Sequence, residues 1–361
     1  MTAPRRSGRR TTETKAIPPG GDAADFAQGG GRHLSAERLR VAFQGELGAF
    51  SQQAIRQFFG TQAEPVPRPR FDDIFAALKS GAVDAAAVPI ENTLAGSVHE
   101  NYDLLMKYPF EITAETNVRV VHNLIAPPGT GFKDVRRVYS HQVALNQCLD
   151  FFAQNPNIER IPFYDTAGSV KMLMEEHPPQ SAAIASELAA RIYKARILKR
   201  GIEDDRQNFT RFFLLEPAGA KPRELPDAAE PEESQSGTGH SEARQAKARQ
   251  AKTTQANATQ SGRKTSIRRT PNASSLRPWK TSLVFSTKNV PGALFRALSA
   301  LALRDLNLVK IESRPLRGKP WEYLFYLDLL GHRDEKNVQN ALAHLAEAAD
   351  FLRVLGSYRS A

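Results

Sequence analysis

Strand-like and helix-like patterns alternate from residue 40 to residue 216, and this alternation constrains the fold more than any other feature of the chain. Leu39–Phe43 and Val83–Pro89 are short apolar runs with the length of buried strands, whereas Phe50–Phe59 has helical spacing. Such alternation predicts a mostly parallel sheet with helices on both faces. Ligands in these folds bind beyond the carboxyl ends of the strands, so polar residues at those ends are the first candidates for a site.

The same alternation continues through this first block and changes in the second, residues 279–361. In the first block we predict strands at Glu64–Arg68, Val118–Ala126, Val135–Tyr139, Ile158–Tyr164, Ala182–Ala185 and Arg211–Leu215, and helices at 71–80, 98–107, 141–153, 166–176 and 186–194. The second block predicts strands at Thr281–Lys288, Asn307–Leu316, Trp321–Leu330 and Phe351–Ser357, with helices after Gly292 and over 334–348. The resulting order, β-α-β-β-α-β, is the ferredoxin-like plan.

Two further segments lack the apolar residues that folding requires. Residues 217–278 contain only Leu225, Ile267 and Leu276 as large aliphatic residues, so burial cannot offset the loss of chain entropy. The first 39 residues are rich in Gly, Pro and Arg and have the same deficit. We therefore expect four parts: a disordered N-terminal extension at 1–39, a folded block at 40–216, a disordered basic linker at 217–278 and a folded block at 279–361.

The net charge of +10 would suggest nucleic-acid binding, but this charge is concentrated in the unfolded segments. Residues 1–40 carry a net charge of +4 and residues 217–278 carry +5, which leaves +1 for the folded blocks. We therefore exclude a nucleic acid as the main partner. A tether function of the linker stays open as an alternative, and salt-dependent binding by the isolated linker would support it.

Cysteine usage and hydropathy indicate the cellular compartment that we expect for the protein. The lone Cys148 excludes an internal disulfide framework and fits a reducing cytosol, and its apolar helical surroundings favour a packing role over a nucleophilic one. No apolar run is long enough to span a membrane, so we expect a cytoplasmic protein without a membrane partner. No Cys, His or carboxylate group has metal-ligand spacing, so we expect no metal.

Four polar clusters follow predicted strands. Each has an ordinary interpretation as a turn or a helix cap, and His141 and Asp165 are more consistent with caps than with a base or an acid. Because the clusters lie at one edge of the sheet, together they predict a polar pocket for a small anion. The clusters are Gly45–Ser51, Pro89–Thr93 with Gly96-Ser97, Ser140-His141 with Gln147, and Asp165–Ser169.

The run Asn208-Phe209-Thr210-Arg211-Phe212 places a hydroxyl beside a fixed cation in a strand-like segment. The guanidinium of Arg211 can clamp a carboxylate with two parallel hydrogen bonds. Thr210 can offer a proton to another group of the same molecule, provided that the strand presents both side chains to one cleft. Alone, a Thr-Arg pair in a strand is more often a solvated face. With the polar clusters that precede it, the run favours the hypothesis that Thr210 and Arg211 act on one bound anion.

These motifs, taken together, resemble the bacterial prephenate dehydratases that carry a C-terminal ACT regulatory domain. The resemblance covers residues 40–361 apart from the linker. The number, order and spacing of the motifs make it specific. It rests on Gly45-x-x-Gly48-Ala49-Phe50-Ser51, Pro89-Ile90-Glu91-Asn92-Thr93, Ser140-His141, Asp165-Thr166-Ala167, Asn208–Phe212, Gly292-Ala293-Leu294-Phe295 and Glu312-Ser313-Arg314-Pro315. It implies an α/β fold with a two-lobed catalytic domain like a periplasmic binding protein, plus a ferredoxin-like ACT domain.

The resemblance also implies a reaction and the residues that carry it. Prephenate loses its ring hydroxyl as water and its ring carboxylate as carbon dioxide to give phenylpyruvate, and no cofactor is needed. Thr210 would assist the departing hydroxyl, Arg211 would orient a carboxylate, and Asn92 and Gln147 would hydrogen-bond the substrate. The site would further be lined by Gly45, Gly48, Ala49, Ser51, Glu91, Thr93, Ser97, Ser140, His141, Thr166, Ala167, Ser169, Asn208 and Phe212.

For the second block, the resemblance implies feedback inhibition by phenylalanine and pairing of ACT domains into a homodimer or homotetramer. Tyrosine is an alternative effector. The effector would contact Asn289, Val290, Pro291, Gly292, Ala293, Leu294, Glu312, Ser313, Arg314 and Pro315.

The chain departs from the family pattern in three places. Gln142-Val143 follow Ser140-His141 where Pro-Gln is common, and Phe50 replaces the usual Tyr, which removes a hydroxyl at the pocket mouth. The long linker puts tight coupling between the domains in doubt, because a flexible tether transmits little strain, so coupling would have to pass through direct contact. No helical chorismate mutase domain precedes residue 40, so we expect no mutase activity.

Two other functions compete with prephenate dehydration. Arogenate dehydration is the same chemistry on a side chain that bears an amine. A non-catalytic amino-acid or keto-acid sensor is an alternative from another class, against which the intact Asn208–Phe212 run argues. For the enzyme, we predict that Thr210→Ala lowers kcat by roughly 10²-fold or more with little change in folding.

Overall fold

The structure, a computed structural model, describes residues 38–223, 277–316 and 322–361. The disorder predicted for 1–39 and 217–278 therefore falls almost entirely outside the described residues, as does the predicted turn at 317–320. Residues 217–223, which we assigned to the linker, contact the first block. There Arg223 donates to both carboxylate oxygens of Glu216, at 2.9 and 2.7 Å.

The first block is built of two sheets rather than one, and we call them lobe I and lobe II. Lobe I has the strand order β2-β1-β3-β11-β5, with β4 paired to β3. Its strands are β1 (Leu39–Gln44), β2 (Ala63–Arg68), β3 (Ala85–Asn92), β4 (Gly96–Ser97), β5 (Glu111–Arg119) and β11 (Phe209–Glu216), and its helices are α1 (Phe50–Phe59), α2 (Phe71–Lys79) and α3 (His99–Lys107).

Lobe II has the order β10-β6-β9-β7-β8. Its strands are β6 (Asn123–Ala126), β7 (Arg137–His141), β8 (Glu159–Phe163), β9 (Ser181–Ala185) and β10 (Arg196–Lys199), and its helices are α4 (Gln142–Asn146), α5 (Leu149–Ala153), α6 (Thr166–Glu176) and α7 (Glu187–Ile192), with a 3-10 turn at Phe132–Asp134. The chain passes from lobe I to lobe II at 120–122 and returns at 200–208. These two crossings form the hinge between the lobes.

The prediction of one mostly parallel sheet was wrong, although the alternation of strands and helices is confirmed. In lobe I, β11 runs antiparallel to both β3 and β5, because it is the strand that returns from lobe II. The predicted strand Val118–Ala126 is interrupted at the hinge and belongs to both sheets. Strands β10 and most of β5 were not predicted, since both are polar and lie at sheet edges.

The predicted helix 141–153 is likewise two short helices. Asp204, in the returning hinge, accepts hydrogen bonds from the backbone N–H groups of Leu149 and Asp150 at 2.7 and 3.0 Å. These contacts cap α5 and separate it from α4 at Gln147-Cys148. A carboxylate distant in sequence thus sets this break, which helical spacing alone could not reveal.

The C-terminal domain has the predicted ferredoxin-like plan. Four antiparallel strands in the order β13-β14-β12-β15 carry two helices on one face. The elements are β12 (Trp279–Thr287), α8 (Ala293–Ala302), β13 (Leu308–Pro315), β14 (Tyr323–Leu330), α9 (Lys336–Ala348) and β15 (Phe351–Arg359). Leu283, Phe285 and Leu301 are buried between this sheet and its helices.

The other face of this sheet packs directly on lobe I. One hydrophobic cluster contains Ile90 and Phe213 of lobe I together with Tyr326 and Tyr358 of the C-terminal domain. Strands β15 and β5 approach so closely at Gly356 that a methyl group there would overlap the backbone carbonyl oxygen of Ile112. The C-terminal domain is therefore joined to lobe I by a close-packed interface between their sheets.

Candidate functional site

Strands β3 and β11 lie side by side in lobe I and bring Asn92 opposite Thr210 at the edge that faces lobe II. The Asn92 side chain is held in one orientation, because its Oδ1 accepts from the backbone N–H groups of Leu94 and Ala95 at 3.0 and 2.8 Å. Its Nδ2 therefore points to Thr210 Oγ1 at 2.9 Å and to Asn208 Oδ1 at 2.7 Å.

This orientation decides how the hydroxyl of Thr210 can act. A carbonyl oxygen cannot donate, so the backbone amides fix Asn92 as the donor to Thr210. The Thr210 hydroxyl makes no other hydrogen bond to a described residue, so its own proton can go to a bound molecule. The sequence placed Asn92 and Thr210 in one site, and the structure brings them together with a defined polarity.

The same logic extends the chain of hydrogen bonds into lobe II. Asn208 accepts from Asn92, so its Nδ2 donates to Gln147 Oε1 at 3.0 Å. His122 Nε2 lies 2.9 Å from the same oxygen and must carry a proton to donate to it. Gln147 Nε2 is then left without a partner among the described residues and can donate to a ligand. Thr210, Asn92, Asn208, Gln147 and His122 form one network, which we call the amide relay.

His122 was not predicted by the sequence analysis. It lies in the hinge between β5 and β6, where no motif marked it, and only its contact with Gln147 reveals its place. The ring is buried, and burial lowers its pKa, an effect that Gln147, Glu203 and Asp204 oppose only in part. Its Nδ1 is buried without a partner, which fits a neutral ring that is protonated at Nε2.

Other predicted lining residues join the two lobes. Ser186 Oγ in lobe II donates to the carbonyl oxygen of Gly48 at 2.6 Å. Within lobe I, Thr93 accepts from the backbone N–H of Phe209 at 3.0 Å. Asp165 caps α6 by accepting from Gly168 N–H at 2.7 Å, as predicted, and also accepts from the backbone N–H of Glu46. Burial raises the pKa of Asp165. The loop 45–51 thus fastens lobe I to lobe II.

Gly45 illustrates why this loop needs glycine. Its φ of 105° lies in the left-handed region, and a Cβ there would come within 2.7 Å of Asp165 Oδ2. Ala49 and Ser51 are buried at the start of α1, and Thr166 is half-buried as the first residue of α6. These residues shape the closed contact between the lobes.

Several residues predicted to bind the substrate are instead packed into the protein. Ser140 is fully buried and donates to the carbonyl oxygen of Ile184 at 2.6 Å. Ser169 donates to the carbonyl oxygen of Asp165 at 2.8 Å within its own helix. Ala167 and Phe212 belong to the hydrophobic core. His141 is the N-cap of α4 and accepts from Val143 N–H, which confirms its predicted role as a cap.

The prediction that Arg211 clamps a substrate carboxylate beside Thr210 was wrong. Successive residues of a strand point to opposite faces, and Arg211 points away from the cleft toward the C-terminal domain. Its side chain is 12% exposed and contacts Glu115 at 2.5 Å and Asp328 at 2.6 Å. Burial alone would lower the pKa of Arg211. Tyr358, Asp328 and Glu115 have the larger combined effect and hold this pKa well above its usual value.

Glu91 and Ser97 also turn out to face the C-terminal domain. Glu91 pairs with Lys310 at 2.9 Å, and Ser97 donates to Glu312 Oε2 at 3.0 Å. Glu312 and Arg314 were predicted to contact an effector, yet Glu312 meets Ser97 and Arg314 donates to Asp103 at 3.1 and 3.2 Å. Their side chains therefore serve the contact between domains.

The remaining effector candidates lie at one end of the C-terminal sheet. The strand register places Thr287, Tyr323 and Pro315 in one row, so the loop 288–293 and the end of β13 share an edge. Gly292, with a φ of 75°, is the N-cap of α8. The backbone N–H of Ala293 donates to the carbonyl oxygen of Val290 at 3.1 Å, whereas those of Leu294 and Phe295 have no acceptor among the described residues and can bind an anion. Asn289, Val290, Pro291 and Ser313 are exposed there, whereas Ala293 and Leu294 are half-buried.

A cavity of about 640 Å³ lies between the lobes beside the hinge. Phe50 forms part of its wall and contacts the His122 ring edge-on, with centroids 5.8 Å apart, so the cavity adjoins the amide relay. Arg119 and Arg200 in its wall are paired with Glu203 and Glu187. Its wall contains Arg56, Arg119, Arg191, Arg200 and Arg206 against only Glu187 and Glu203.

Within residues 38–223, 277–316 and 322–361, no group of three or more His, Cys, Asp or Glu residues could hold a metal ion. Cys148 is buried, and burial raises its pKa far above the usual range, as a packing residue requires. None of the helices in this part of the chain is long and apolar enough to cross a membrane.

Comparison with known proteins identifies the family. Residues 41–220 match the family described as Prephenate dehydratase, and residues 281–347 match the ACT domain. A relative from Arabidopsis thaliana, named arogenate dehydratase/prephenate dehydratase 2, chloroplastic, is 38% identical over 330 residues, which cover 89% of this chain and 73% of the relative. The chain belongs to the prephenate dehydratase family.

Two further relatives support this assignment. The bifunctional chorismate mutase/prephenate dehydratase of Aquifex aeolicus is 31% identical over 326 residues, which cover 90% of this chain and 75% of the relative. The crystal structure of the Arthrobacter aurescens prephenate dehydratase in complex with L-Phe superposes with a TM-score of 0.69 at 28% identity, covering 89% of this chain and 90% of that one. The predicted family, its two-lobed fold with an ACT domain, and a hydro-lyase activity are confirmed.

Proposed function

We propose that this dehydratase converts prephenate to phenylpyruvate and that L-phenylalanine inhibits it through the ACT domain. The observation that carries the first part is the fixed polarity of the amide relay, which leaves the Thr210 proton and the Gln147 amide free. Two donors at the cleft edge suit a substrate whose leaving group is a hydroxyl.

The reaction requires one proton and redistributes electron pairs already in the substrate. The bond from the ring to its carboxylate breaks and releases carbon dioxide, and that electron pair enters the ring. The bond from the ring to its hydroxyl breaks, and the departing oxygen takes a proton and leaves as water. A Thr hydroxyl is a weak acid, so Thr210 donates a hydrogen bond that strengthens as charge grows on this oxygen, and solvent supplies the net proton.

The substrate dianion also needs cations, and Arg211 is committed elsewhere. The arginine-lined cavity supplies them next to the amide relay. Arg56 and Arg206 form no ion pair with any residue of the described ranges, so the cavity carries uncompensated positive charge. Arg206 lies two residues before Asn208, in the segment that returns from lobe II. We assign the carboxylates of the substrate to this side of the relay.

The same charge favours prephenate over arogenate. The two substrates differ at one position, where arogenate carries an ammonium and prephenate a ketone. An ammonium would be repelled by the excess of arginines, whereas the ketone adds no charge. The name of the Arabidopsis relative includes both activities, so both substrates are compared in the test below.

For the effector, the open N-terminus of α8 and the neighbouring end of β13 provide the proposed phenylalanine site. The backbone N–H groups of Leu294 and Phe295 suit the effector carboxylate. The Arthrobacter aurescens relative was solved with L-Phe, which supports the choice of phenylalanine over tyrosine. We assign the ACT helix α8 and the edge strand β13 to contact with a second copy, because each carries exposed apolar side chains: Phe295 of α8 is 77% exposed, and Val309 and Ile311 of β13 are exposed as well.

The test is turnover of prephenate and of arogenate by the purified full chain, with and without phenylalanine. We expect phenylpyruvate from prephenate at a kcat/KM at least about tenfold above that for arogenate, and suppression by phenylalanine. Faster turnover of arogenate would overturn the substrate assignment. Turnover that phenylalanine leaves unchanged would overturn the effector assignment, and no turnover of either substrate would favour the sensor.

A further inference from the structure

We propose that Arg211 is a positioning residue: through it, Asp328 and Tyr358 of the ACT domain hold strand β11, and with it Thr210, in the geometry that the reaction needs. The inference rests on the proposed function, since it concerns the same reacting residue. Its starting point is that the cation next to Thr210 in sequence is bound by two residues of another domain.

The hydrogen bonds around Arg211 close into a ring whose directions are all determined. Ser282 Oγ lies 2.5 Å from both Asp328 Oδ1 and the Tyr358 hydroxyl. A carboxylate only accepts, so Ser282 gives its proton to Asp328 and receives one from Tyr358. Tyr358 in turn accepts from Arg211 Nη2 at 3.0 Å, and Arg211 Nη1 donates to Asp328 Oδ2 at 2.6 Å.

Lobe I completes this buried cluster. Arg211 Nε donates to Glu115 Oε2 at 2.6 Å, and Lys280 of the ACT domain binds Glu115 Oε1 at 2.5 Å. Two cations therefore face two carboxylates, with Glu115, Asp328 and Tyr358 all buried. Removal of one partner would leave a buried charge without compensation, so the two domains are held in this arrangement.

The cluster lies next to Thr210 and Asn92 in the two strands, so it can fix where their side chains point. The ladder between β3 and β11 changes register between Arg211 and Phe212, so regular strand pairing is interrupted next to Thr210. A bulge re-aims side chains, and an anchored neighbour is needed to fix where they point. Arg211 supplies this anchor on one strand. On the other strand, Glu91 precedes Asn92 and is tied to Lys310 of the ACT domain.

Thr210 and Asn92 therefore each lie one residue away from an ion pair between the domains. The direct contact gives the ACT domain a path to the cleft that does not involve the segment 224–276. Any shift of the ACT sheet relative to lobe I must move Arg211 or break the ring. The consequence is that the ACT domain is part of the catalytic geometry even when no effector is bound.

The experiment compares three variants of the full chain without phenylalanine, with kcat and KM for prephenate as readouts. Asp328→Asn removes the charge that holds Arg211, and Tyr358→Phe removes only the hydroxyl. The control Arg333→Gln breaks another pair between the domains, to Glu111 at 2.6 Å, at the far end of β5. Thermal unfolding of each variant shows whether it is folded, and Tyr358→Phe serves if Asp328→Asn is not.

We expect kcat to fall by about tenfold in Asp328→Asn and severalfold in Tyr358→Phe, with KM within about threefold of the wild type, because misplacement of a reacting group lowers the rate more than binding. Arg333→Gln should keep the wild-type kcat. The proposal is overturned if a folded Asp328→Asn variant, or a folded Tyr358→Phe variant, has the same kcat as Arg333→Gln. A wild type without turnover would refute the proposed function instead.

Discussion

The two faces of the strand pair β3/β11 make different kinds of contact, although the residues involved are neighbours in sequence. On the cleft face, Asn92 and Thr210 form a hydrogen bond of fixed direction that ends in a free hydroxyl proton. On the opposite face, Glu91 and Arg211 form ion pairs with Lys310 and Asp328 of the ACT domain. The two faces also differ in charge, since the cleft face is neutral and the other is built from charged groups.

This difference explains how one short motif can serve both catalysis and regulation. A strand alternates its side chains, so a single run of residues reaches a cleft on one side and a second domain on the other. A charge on the cleft face would bind the substrate tightly before reaction, whereas a neutral donor becomes stronger only as the leaving oxygen gains charge. The fixed cation is therefore better used as an anchor between domains.

Apart from changes at Thr210 itself, the largest effect is expected from reversing the polarity of the cleft face. Asn92→Asp replaces a donor by a group that only accepts, so Thr210 must turn its proton toward residue 92. We expect kcat for prephenate to fall by about 10²-fold, the scale of a lost catalytic donor. Asn146→Asp makes the same chemical change on the surface and should leave kcat unchanged. A kcat for Asn92→Asp within threefold of the wild type would show that the direction of this bond does not matter.

A smaller loss is expected at the lobe II end of the amide relay. Gln147→Glu keeps an acceptor for His122 and Asn208 but removes the donor that faces the ligand and adds a negative charge. We expect kcat/KM to fall by about tenfold or more, since an unpaired polar contact and like charges both oppose binding of an anion. The exposed Gln142→Glu is the matched control. Unchanged kinetics in Gln147→Glu would remove lobe II from the site.

The arginine-lined cavity should affect binding more than the chemical step. Arg206→Gln removes a cation that has no carboxylate partner in the part of the chain that the structure describes, so we expect KM for prephenate to rise by about fivefold and kcat to change little. The rise should shrink at high salt, because salt screens exposed charges. Arg196→Gln, an exposed arginine of β10, is the control. If both variants have the wild-type KM, the substrate carboxylates are bound elsewhere.

The smallest effect concerns stability and comes from His122. Burial holds its pKa in the folded protein below the ordinary value of about 6.5, so the unfolded chain binds the proton more readily as the pH falls. The free energy of unfolding should therefore decrease from about pH 7.5 to about pH 5.5 more in the wild type than in His122→Gln. Urea unfolding at both pH values measures this difference. Parallel pH profiles would mean that His122 titrates normally in the folded state.

The sequence was most informative where a local pattern determines the structure. The helices Phe50–Phe59 and 166–176 have the predicted bounds, because apolar spacing and a cap define them without help from distant residues. The association of Asn92, Gln147, Asn208 and Thr210 was also predicted, through the family motifs. Alternation of side chains along a strand places Thr210 and Arg211 on opposite faces, which excludes the predicted action of both on one bound anion.

Other features depend on contacts that no local pattern encodes. His122 belongs to the site only because the hinge brings it to Gln147, and the break between α4 and α5 depends on Asp204. The role of Arg211 requires Asp328, which lies 117 residues away in sequence. Such long-range contacts become visible only when the sheets and their packing are known.

Two substitutions of Thr210 decide whether its hydroxyl, oriented by Asn92, acts on the leaving group. Thr210→Val keeps the branched shape without the hydroxyl, and Thr210→Ser keeps the hydroxyl without the branch. At saturating prephenate, we expect phenylpyruvate formation to slow by about 10²-fold or more in the first and by less than about tenfold in the second. A folded Thr210→Val variant that turns over prephenate as fast as Thr210→Ser would contradict the account.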